Sequence, residues 1–325
     1  MTHAIQVEGL SRHFGAVKAL DGLSFDVGRG EVFGVLGHNG AGKTTLVRVL
    51  NGVLEPSGGR AHVLGYDSAT EGSEIRRRTG VLTETPSLYE RLSARDNLRT
   101  FGTLYDMPPE AVKPRADEML ALFKLTDRAR DKAGGFSKGM KQRLALARAL
   151  MHSPEILFLD EPTAGLDPEA SRSVTALIEN LSREGGRTIF LCTHNLDEAQ
   201  RLCDRVAVLG QGKLLALGTT AQLGRDLWRA LWVDFELDAP ADASLIGTLR
   251  ALPTVIDLNA DGSTLAVQLN AEEQIPGLVN AAANAGALIR RVNPREHSLE
   301  EIYFELQRRN ATTPSSAALV GEGAR

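Results

Sequence analysis

A glycine-rich segment near the start of the chain has the spacing of a phosphate-binding loop. Residues 37–45 read GHNGAGKTT, which fits the pattern G-x-x-x-x-G-K-[ST]. In this pattern backbone N–H groups surround the phosphates, Lys43 can reach the β- and γ-phosphates, and the Thr44 hydroxyl can bind Mg²⁺. We therefore expect a nucleotide to contact the whole segment, which consists of Gly37, His38, Asn39, Gly40, Ala41, Gly42, Lys43, Thr44 and Thr45.

Two adjacent carboxylates follow a second apolar run. Residues 156–162 read ILFLDEP. We expect Asp160 to be a partner of Mg²⁺, and Glu161, which projects differently, to polarise an attacking water. An acidic pair after a strand is by itself weak evidence for catalysis, because such pairs usually lie at a solvent-exposed strand end. Together with the glycine loop it predicts a nucleoside-triphosphate hydrolase that uses ATP and Mg²⁺.

The elements around the glycine loop are those that phosphate binding needs. The short apolar run in residues 31–37 (EVFGVLG) predicts a buried parallel strand. Apolar residues then recur at helical spacing at Leu46, Val49, Leu50 and Val53. The loop therefore joins a strand to a helix N-terminus, where backbone donors and the helix dipole both favour anions.

Three further segments indicate the family. Residues 136–144 read FSKGMKQRL, residues 164–168 read AGLDP, and Thr193–His194 follows the apolar run 188–192. With the two motifs above, this set resembles the ATP-binding cassette (ABC) ATPases. Those proteins carry a phosphate loop, a glutamine loop, an LSGGQ signature, a carboxylate strand, an Asp loop and a switch histidine. The resemblance covers residues 5 to about 217.

The resemblance implies roles for five more residues. Phe14 lies where the family stacks an aromatic ring on adenine. Ser137 and Gly139 occupy signature positions that contact the γ-phosphate of ATP held by a second copy. Asp167 fits the loop that crosses the dimer, and His194 fits the histidine that hydrogen-bonds to the γ-phosphate. Ser137 also reads as the N-cap of a helix, which agrees with an anion site.

Two positions depart from the commonest pattern of the family. The signature is FSKGM rather than LSGGQ, so Lys138 replaces a glycine and Met140 a glutamine. The glutamine-loop position carries Glu84, whose carboxylate oxygen could face Mg²⁺ or water but which lacks an amide donor. Both departures resemble drug, sodium and antibiotic exporters, as does the C-terminal run HSLEEIYFEL.

Composition narrows the class of function. The chain has 325 residues, a net charge of −4 and a pI of about 6.0, which gives no electrostatic case for nucleic-acid binding. The sequence shows no signal peptide and no run of 18 apolar residues, so we expect any transport pore to belong to another polypeptide. Cys192 and Cys203 lack metal-type spacing and read as buried structural thiols, which suits a reducing cytosol.

The pattern predicts an α/β fold with two domains and a tail. The resemblance implies that residues 1–222 form a P-loop ABC-type cassette, and helical periodicity predicts an insert at about 93–151. Residues 223–310 alternate as β-α-β-β-α-β, which predicts a small α+β domain of the split βαβ kind, with a hairpin at Asp261–Gly262. Residues 311–325 are small and polar and read as disordered.

We expect the ATP-hydrolysing subunit of an ABC exporter, peripheral on the cytoplasmic face of the cell membrane. Its partners would be a separate transmembrane permease and a second ATPase copy, either identical or a paralogue, and not nucleic acid. Alternatives are the energising subunit of an importer, or a non-transport cassette protein that acts on ribosomes or DNA. The last is disfavoured because the chain has one cassette, no zinc-type cysteines and no coiled coil between Lys43 and Ser137.

Overall fold

The computed structural model describes residues 3–228, 230–295 and 297–312. The strands are β1 (His3–Phe14), β2 (Val17–Gly28), β3 (Val32–Leu36), β4 (Gly58–Val63), β5 (Tyr66–Asp67), β6 (Thr79–Leu82), β7 (Ile156–Asp160), β8 (Thr188–Thr193), β9 (Arg205–Gly210), β10 (Lys213–Gly218), β11 (Leu231–Leu237), β12 (Val255–Asp261), β13 (Thr264–Leu269) and β14 (Ile289–Pro294). The helices are α1 (Lys43–Leu50), α2 (Gly72–Arg78), α3 (Ala94–Leu104), α4 (Pro109–Leu122), α5 (Lys138–Ala149), α6 (Pro168–Gly185), α7 (Leu196–Leu202), α8 (Thr220–Leu227), α9 (Ala243–Arg250), α10 (Ile275–Asn284) and α11 (Leu299–Thr312).

The chain divides into two compact units. Among the described residues, the first unit comprises 3–219 and 306–312, and the second comprises the described part of 220–305. The division thus falls near the boundary at residue 222 that the sequence suggests, and the domain limits stay a prediction. Among the described residues, no helix combines the length and apolar character needed to cross a bilayer.

A six-stranded, mostly parallel sheet forms the centre of the first unit. Its strand order is β10-β9-β3-β8-β7-β6, and only the edge strand β10 is antiparallel to its neighbour. Every residue of β3 and β7 is buried, as the continuous apolar runs predicted. Because β3, β6, β7 and β8 run in one direction, the loops that follow them open at the same sheet edge.

Two other layers complete the first unit. An antiparallel sheet of order β2-β1-β4-β5 forms one of them, and its two long strands, β1 and β2, span twelve residues each. The helical insert lies between β6 and β7 and consists of α3, α4 and α5, with short 3₁₀ turns at Thr126–Arg128 and Ala133–Gly135. This insert confirms the predicted architecture.

The second unit is the predicted split βαβ fold. Its elements follow the order β11-α9-β12-β13-α10-β14, and its antiparallel sheet has the strand order β12-β13-β11-β14. The sheet buries Phe235, Val267 and Leu249 in a core of its own. The hairpin between β12 and β13 turns at Gly262, whose φ of 57° suits a residue without a side chain.

The end of the chain and Cys203 depart from the sequence expectation, whereas Cys192 agrees with it. The last helix continues to Thr312, so residues 311–312 of the predicted disordered tail are helical, and residues 313–325 lie outside the described part of the chain. Cys192 is buried in β8 and its burial raises the pKa of its thiol well above the usual value. Cys203 is only half-buried as a residue, although desolvation raises the pKa of its thiol too.

Candidate nucleotide-binding site

The glycine loop joins β3 to α1, as predicted. Gly40 and Gly42 adopt left-handed backbone conformations, with φ of 87° and 108°. A Cβ at Gly42 would also lie 2.5 Å from the carbonyl oxygen of Ala19, so only glycine fits there. Gly42 is the N-cap of α1 and no side chain caps the helix, which leaves N–H donors of its first turn available to an anion.

Lys43 connects the loop to the carboxylate strand. Its side chain is buried, and its Nζ donates to the carbonyl oxygen of Gly37 at 2.6 Å. The same Nζ lies 3.1 Å from Glu161 Oε1. The structure therefore brings together the first and second sequence motifs, 118 positions apart (161 − 43), through one ion pair.

The pair Thr44 and Asp160 forms an oxygen-lined site beside the loop. The Thr44 hydroxyl donates to Asp160 Oδ2 at 2.7 Å. Asp160 Oδ1 is buried and has no hydrogen-bond partner among the described residues. Burial raises the pKa of Asp160, and the hydrogen bond from Thr44 opposes that shift. A divalent cation nearby would stabilise the charged carboxylate, so these residues fit Mg²⁺.

Nothing else among the described residues resembles a metal centre. The described part of the chain contains no group of three or more His, Cys, Asp or Glu side chains that could hold a metal ion. A Mg²⁺ ion that binds together with ATP needs only one or two protein groups, because waters and the substrate phosphates supply its other ligands.

Glu161 is held in a strained and buried position at the end of β7. Its φ of 52° lies in the left-handed region, which is uncommon for a residue with a side chain. Its backbone N–H donates to the carbonyl oxygen of Cys192 at 2.8 Å. Its Oε2 lies 2.8 Å from His194 Nδ1, while its Oε1 faces Lys43. Backbone strain of this kind gathers at functional sites, where surrounding contacts maintain it.

His194 reaches this carboxylate from the neighbouring strand. It directly follows β8, which is hydrogen-bonded to β7 in parallel register. Its side chain is 57% exposed, so one face of the imidazole is open to solvent while Nδ1 faces Glu161. The structure thus assembles Lys43, Glu161 and His194 at one edge of the parallel sheet.

The signature residues lie on a different element. Ser137 is the N-cap of α5, and its Oγ accepts a hydrogen bond from the N–H of Met140 at 3.3 Å, which confirms the predicted cap. A Cβ at Gly139 would lie 2.9 Å from the Cβ of Ala170, so glycine permits the close approach of α5 and α6. Both residues are therefore presented by the helical insert rather than by the sheet.

The Asp loop has a structural role that the sequence analysis missed. Asp167 is the N-cap of α6, and its Oδ1 accepts hydrogen bonds from the N–H groups of Glu169 and Ala170 at 3.1 and 2.9 Å. Lys138, the residue that departs from the family signature, places its Nζ 2.1 Å from the position that a Cβ on Gly165 would take. An Asp followed by Pro at the first helical position, as in Asp167–Pro168, could have indicated this cap.

Phe14 and Glu84, the predicted adenine-stacking and glutamine-loop residues, are both exposed. Phe14 ends β1 and is 45% exposed, with the guanidinium of Arg12 at 4.7 Å from its ring centroid. Glu84 is exposed and follows β6, whose Leu82 is paired with Leu159 on β7. Its charge contributes slightly to raising the pKa of Asp160. Both side chains are therefore open to a ligand, and their roles remain predictions.

Buried polar residues around the site were not found from the sequence. Gln142 is buried, and its Nε2 donates to the carbonyl oxygen of Pro162 at 2.7 Å, which ties α5 to the segment after Glu161. Glu198 is buried on α7 and accepts a hydrogen bond from Thr193. The spacing Asn195 to Glu198 matches a capping box and was the available signal.

The fold and the site define a P-loop ATPase cassette, and comparisons with known proteins identify the family. The family model for ABC transporters matches residues 20–164. The daunorubicin resistance ATP-binding protein DrrA3 of Streptomyces coeruleorubidus is 40% identical over 93% of this chain and 95% of that protein. A fluoroquinolones export ATP-binding protein of Mycobacterium tuberculosis is 36% identical over 96% and 95%.

A solved structure supports the same assignment. A dimeric ATP-binding cassette in a post-hydrolysis state, bound to ADP and phosphate, has a TM-score of 0.60 and 25% identity, and the match covers 66% of this chain and 98% of that one. The chain belongs to the ABC transporter family, in which it is an ATP-binding, ATP-hydrolysing component.

Proposed function

We propose that the chain energises an exporter by binding and hydrolysing ATP while a separate membrane permease carries the cargo. Full-length similarity carries this proposal, because the relatives named for daunorubicin resistance and fluoroquinolone export match the second unit as well as the cassette. The chain would lie on the cytoplasmic face of the membrane, bound to that permease. Cargo of the drug or antibiotic class fits the relatives' names.

Each site residue has a role that its position supports. The N–H groups of residues 37–45 and Lys43 bind the phosphates. Thr44 and Asp160 hold Mg²⁺, which neutralises charge on the phosphates when bound. Glu161 orients the attacking water and accepts its proton, because it is a buried carboxylate beside Lys43. His194 holds Glu161 on one side and exposes its other face toward the ligand.

A second copy, identical or a paralogue, would complete each site. Ser137 and Gly139 lie on α5 of the helical insert, whereas Lys43 and Glu161 lie on the sheet. We therefore assign the signature residues to the ATP held by the other copy, with Asp167 at the crossing and Phe14 stacked on adenine. A dimeric relative of the same fold supports this arrangement.

Glu161→Gln tests the ATPase assignment. The amide keeps the shape of the side chain but cannot accept the proton, so hydrolysis should fall by roughly 10²–10⁴-fold while ATP binding persists. Phosphate release and nucleotide affinity measure the two effects, and size-exclusion chromatography with Mg²⁺-ATP should show an accumulated dimer. Glu155 is an exposed carboxylate just before β7, so Glu155→Gln is the matched control and should behave as the wild type. Full turnover by Glu161→Gln would refute the assignment.

Affinity capture separates the classes of partner. Glu161→Gln, locked with Mg²⁺-ATP, should be recovered from detergent-solubilised membranes with an integral membrane protein in stoichiometric amount. Recovery of a membrane protein together with a substrate-binding protein would favour an importer instead. Recovery of ribosomal particles or DNA without a membrane protein would contradict a transport role.

A further inference from the structure

A buried carboxylate lies next to the catalytic group without belonging to the predicted site. Glu198 is only 5% exposed and lies in the first turn of α7. Burial raises the pKa of Glu198, while the hydroxyls of Thr193 and Thr163 favour its charged form. No hydrogen bond of normal geometry reaches its Oε1 among the described residues. Such a group is costly to bury, and a helix cap alone does not require its burial.

The hydrogen bonds around Glu198 form an extended capping box. Asn195 is the N-cap of α7, and its Oδ1 accepts from the N–H of Glu198 at 3.1 Å. In the ordinary motif the glutamate side chain then accepts from the N–H of the N-cap residue. Here the N–H of Asn195 donates to Thr193 Oγ1 at 3.0 Å, and Thr193 Oγ1 donates to Glu198 Oε2 at 3.1 Å. The Thr193 hydroxyl is therefore inserted between the two halves of the box.

The inserted hydroxyl also touches the catalytic carboxylate. Thr193 Oγ1 lies 3.5 Å from Glu161 Oε2. That same oxygen faces Nδ1 of His194 at 2.8 Å and the backbone N–H of His194 at 3.4 Å. One side of Glu161 is thus lined by Thr193, the last residue of β8, and by His194, which follows it. The capping box of α7 fixes the position of this pair.

A hydroxyl carries only one proton, so the partner of Thr193 matters to Glu161. The shorter contact is with Glu198, which directs the proton away from Glu161. Loss of the acceptor at residue 198 would free Thr193 to rotate and to donate to Glu161. A hydrogen bond to the charged form makes a carboxylate a weaker base. It would also release the turn that holds His194.

We propose that Glu198 is a positioning residue for ATP hydrolysis, which holds the Thr193 hydroxyl and thereby keeps Glu161 and His194 in their working arrangement. This inference rests on the proposed function, because it takes Glu161 as the group that activates water. It assigns Glu198 no contact with nucleotide or metal. The simpler view is that the box only stabilises α7, and then changes at residue 198 should act through stability alone.

Removal of either partner of the central hydrogen bond tests the proposal. Glu198→Met keeps the side-chain length but removes the acceptor, and Thr193→Val keeps the shape but removes the donor. Each variant should lower kcat by about five- to tenfold, the worth of one hydrogen bond in a buried network, and should leave KM for ATP within about twofold. Glu198→Gln and Thr193→Ser retain the bond and should restore most of the wild-type kcat.

The double variant distinguishes a positioning role from a general loss of stability. If both residues act through one hydrogen bond, removing the second partner adds little. The kcat of the double variant Thr193→Val/Glu198→Met should then lie within about twofold of the kcat of either single variant. Multiplied losses in the double variant would overturn the proposal, as would an unchanged kcat in Glu198→Met or a Glu198→Gln variant as slow as Glu198→Met. Thermal unfolding and Mg²⁺-free ATP binding, measured on each protein, show that it is folded.

A matched control lies on the same pair of helices. Glu179 on α6 accepts from Arg201 on α7 at 2.9 Å, so Glu179→Gln disturbs the packing partner of α7 without touching Thr193. Its kcat should match the wild type. The outcomes also separate the ATPase assignment from the positioning role of Glu198. An inactive Glu161→Gln with a fully active Glu198→Met would refute only the role of Glu198. An active Glu161→Gln would remove the basis of both proposals.

Discussion

At the scale of residues, the site concentrates charge where water is scarce. Lys43, Asp160, Glu161 and Glu198 are all buried, and three of them are carboxylates. Burial raises the pKa of Asp160 and of Glu198, and the charge of Glu161 adds to both shifts. This arrangement costs stability before any ligand binds, and proteins accept such costs at functional sites.

Replacement of Glu198 by glutamine should reveal that cost. A carboxyl whose folded-state pKa is raised destabilises the fold above that pKa, and the penalty disappears as pH falls toward the unfolded value. Glu198→Gln should therefore raise the unfolding midpoint at pH 8 by about 2–4 °C, or roughly 1 kcal/mol, and the gain should vanish toward pH 4.5. The groups that act on Glu198 are Glu161, which raises its pKa, and His194, Thr193 and Thr163, which lower it.

Glu179→Gln should change stability at pH 8 in the opposite direction, and the same experiment measures it. Hydrogen bonding from Arg201 lowers the pKa of the half-buried Glu179, so its contribution to stability is present above the unfolded pKa and is lost as pH falls through the lowered folded-state pKa. This variant should be equal to or less stable than the wild type at pH 8. Differential scanning fluorimetry across pH 4.5–8.5 compares the three proteins. A Glu198→Gln variant that is destabilised at pH 8 would contradict the assigned pKa direction.

At the scale of elements, the sequence motifs were predictable, but the short strand β6 and the contacts between elements distant in the sequence were not. Residues 37–45 and 156–162 are recognisable because a strand, a loop and a helix start are each defined by near neighbours in the sequence. The strand β6, with the sequence TGVL, was missed because four residues carry little periodicity. The Thr193–Glu198 contact was missed because its importance depends on β7, which is distant in the sequence.

The glycine in β6 shows how tertiary packing decides an element. A Cβ at Gly80 would lie 2.3 Å from the carbonyl oxygen of Ala149 at the end of α5. Gly80→Ala must therefore displace backbone and should lower the free energy of unfolding by about 2 kcal/mol or more. Gly247 lies in α9 with nothing within 4 Å of its Cβ position, so Gly247→Ala should stabilise its helix by about 0.5–1 kcal/mol.

Urea unfolding, followed separately for each transition, measures both changes. Gly80→Ala should affect the transition of the first unit and Gly247→Ala that of the second, because each glycine belongs to a different unit. If Gly80→Ala left the free energy of unfolding unchanged or raised it, as Gly247→Ala should, the close approach of β6 and α5 would not constrain residue 80.

At the scale of the whole molecule, nucleotide chemistry and the accessory fold are separable in sequence. All the candidate site residues, from Phe14 to His194, lie in the first unit. The second unit has its own sheet and its own apolar core. The change of pattern after residue 223 predicts a boundary close to Thr220, where the second unit begins, and the domain limits stay a prediction. What the sequence did not predict is that residues 306–312, at the end of α11, group with the first unit.

Deletion of residues 223–325 tests how far this separation extends to function. A chain of residues 1–222 keeps every nucleotide motif, so its affinity for ATP should remain within about threefold of the full-length value. Its unfolding midpoint should fall, because the deletion also removes the segment after Leu306 that belongs to the same compact unit. Nucleotide titration with a fluorescent ATP analogue and thermal unfolding measure the two effects. Lys43→Ala in the same shortened chain is the control and should abolish binding, because it removes the cation of the phosphate loop. A shortened chain that is folded but does not bind ATP would show that the accessory unit contributes to the nucleotide site itself.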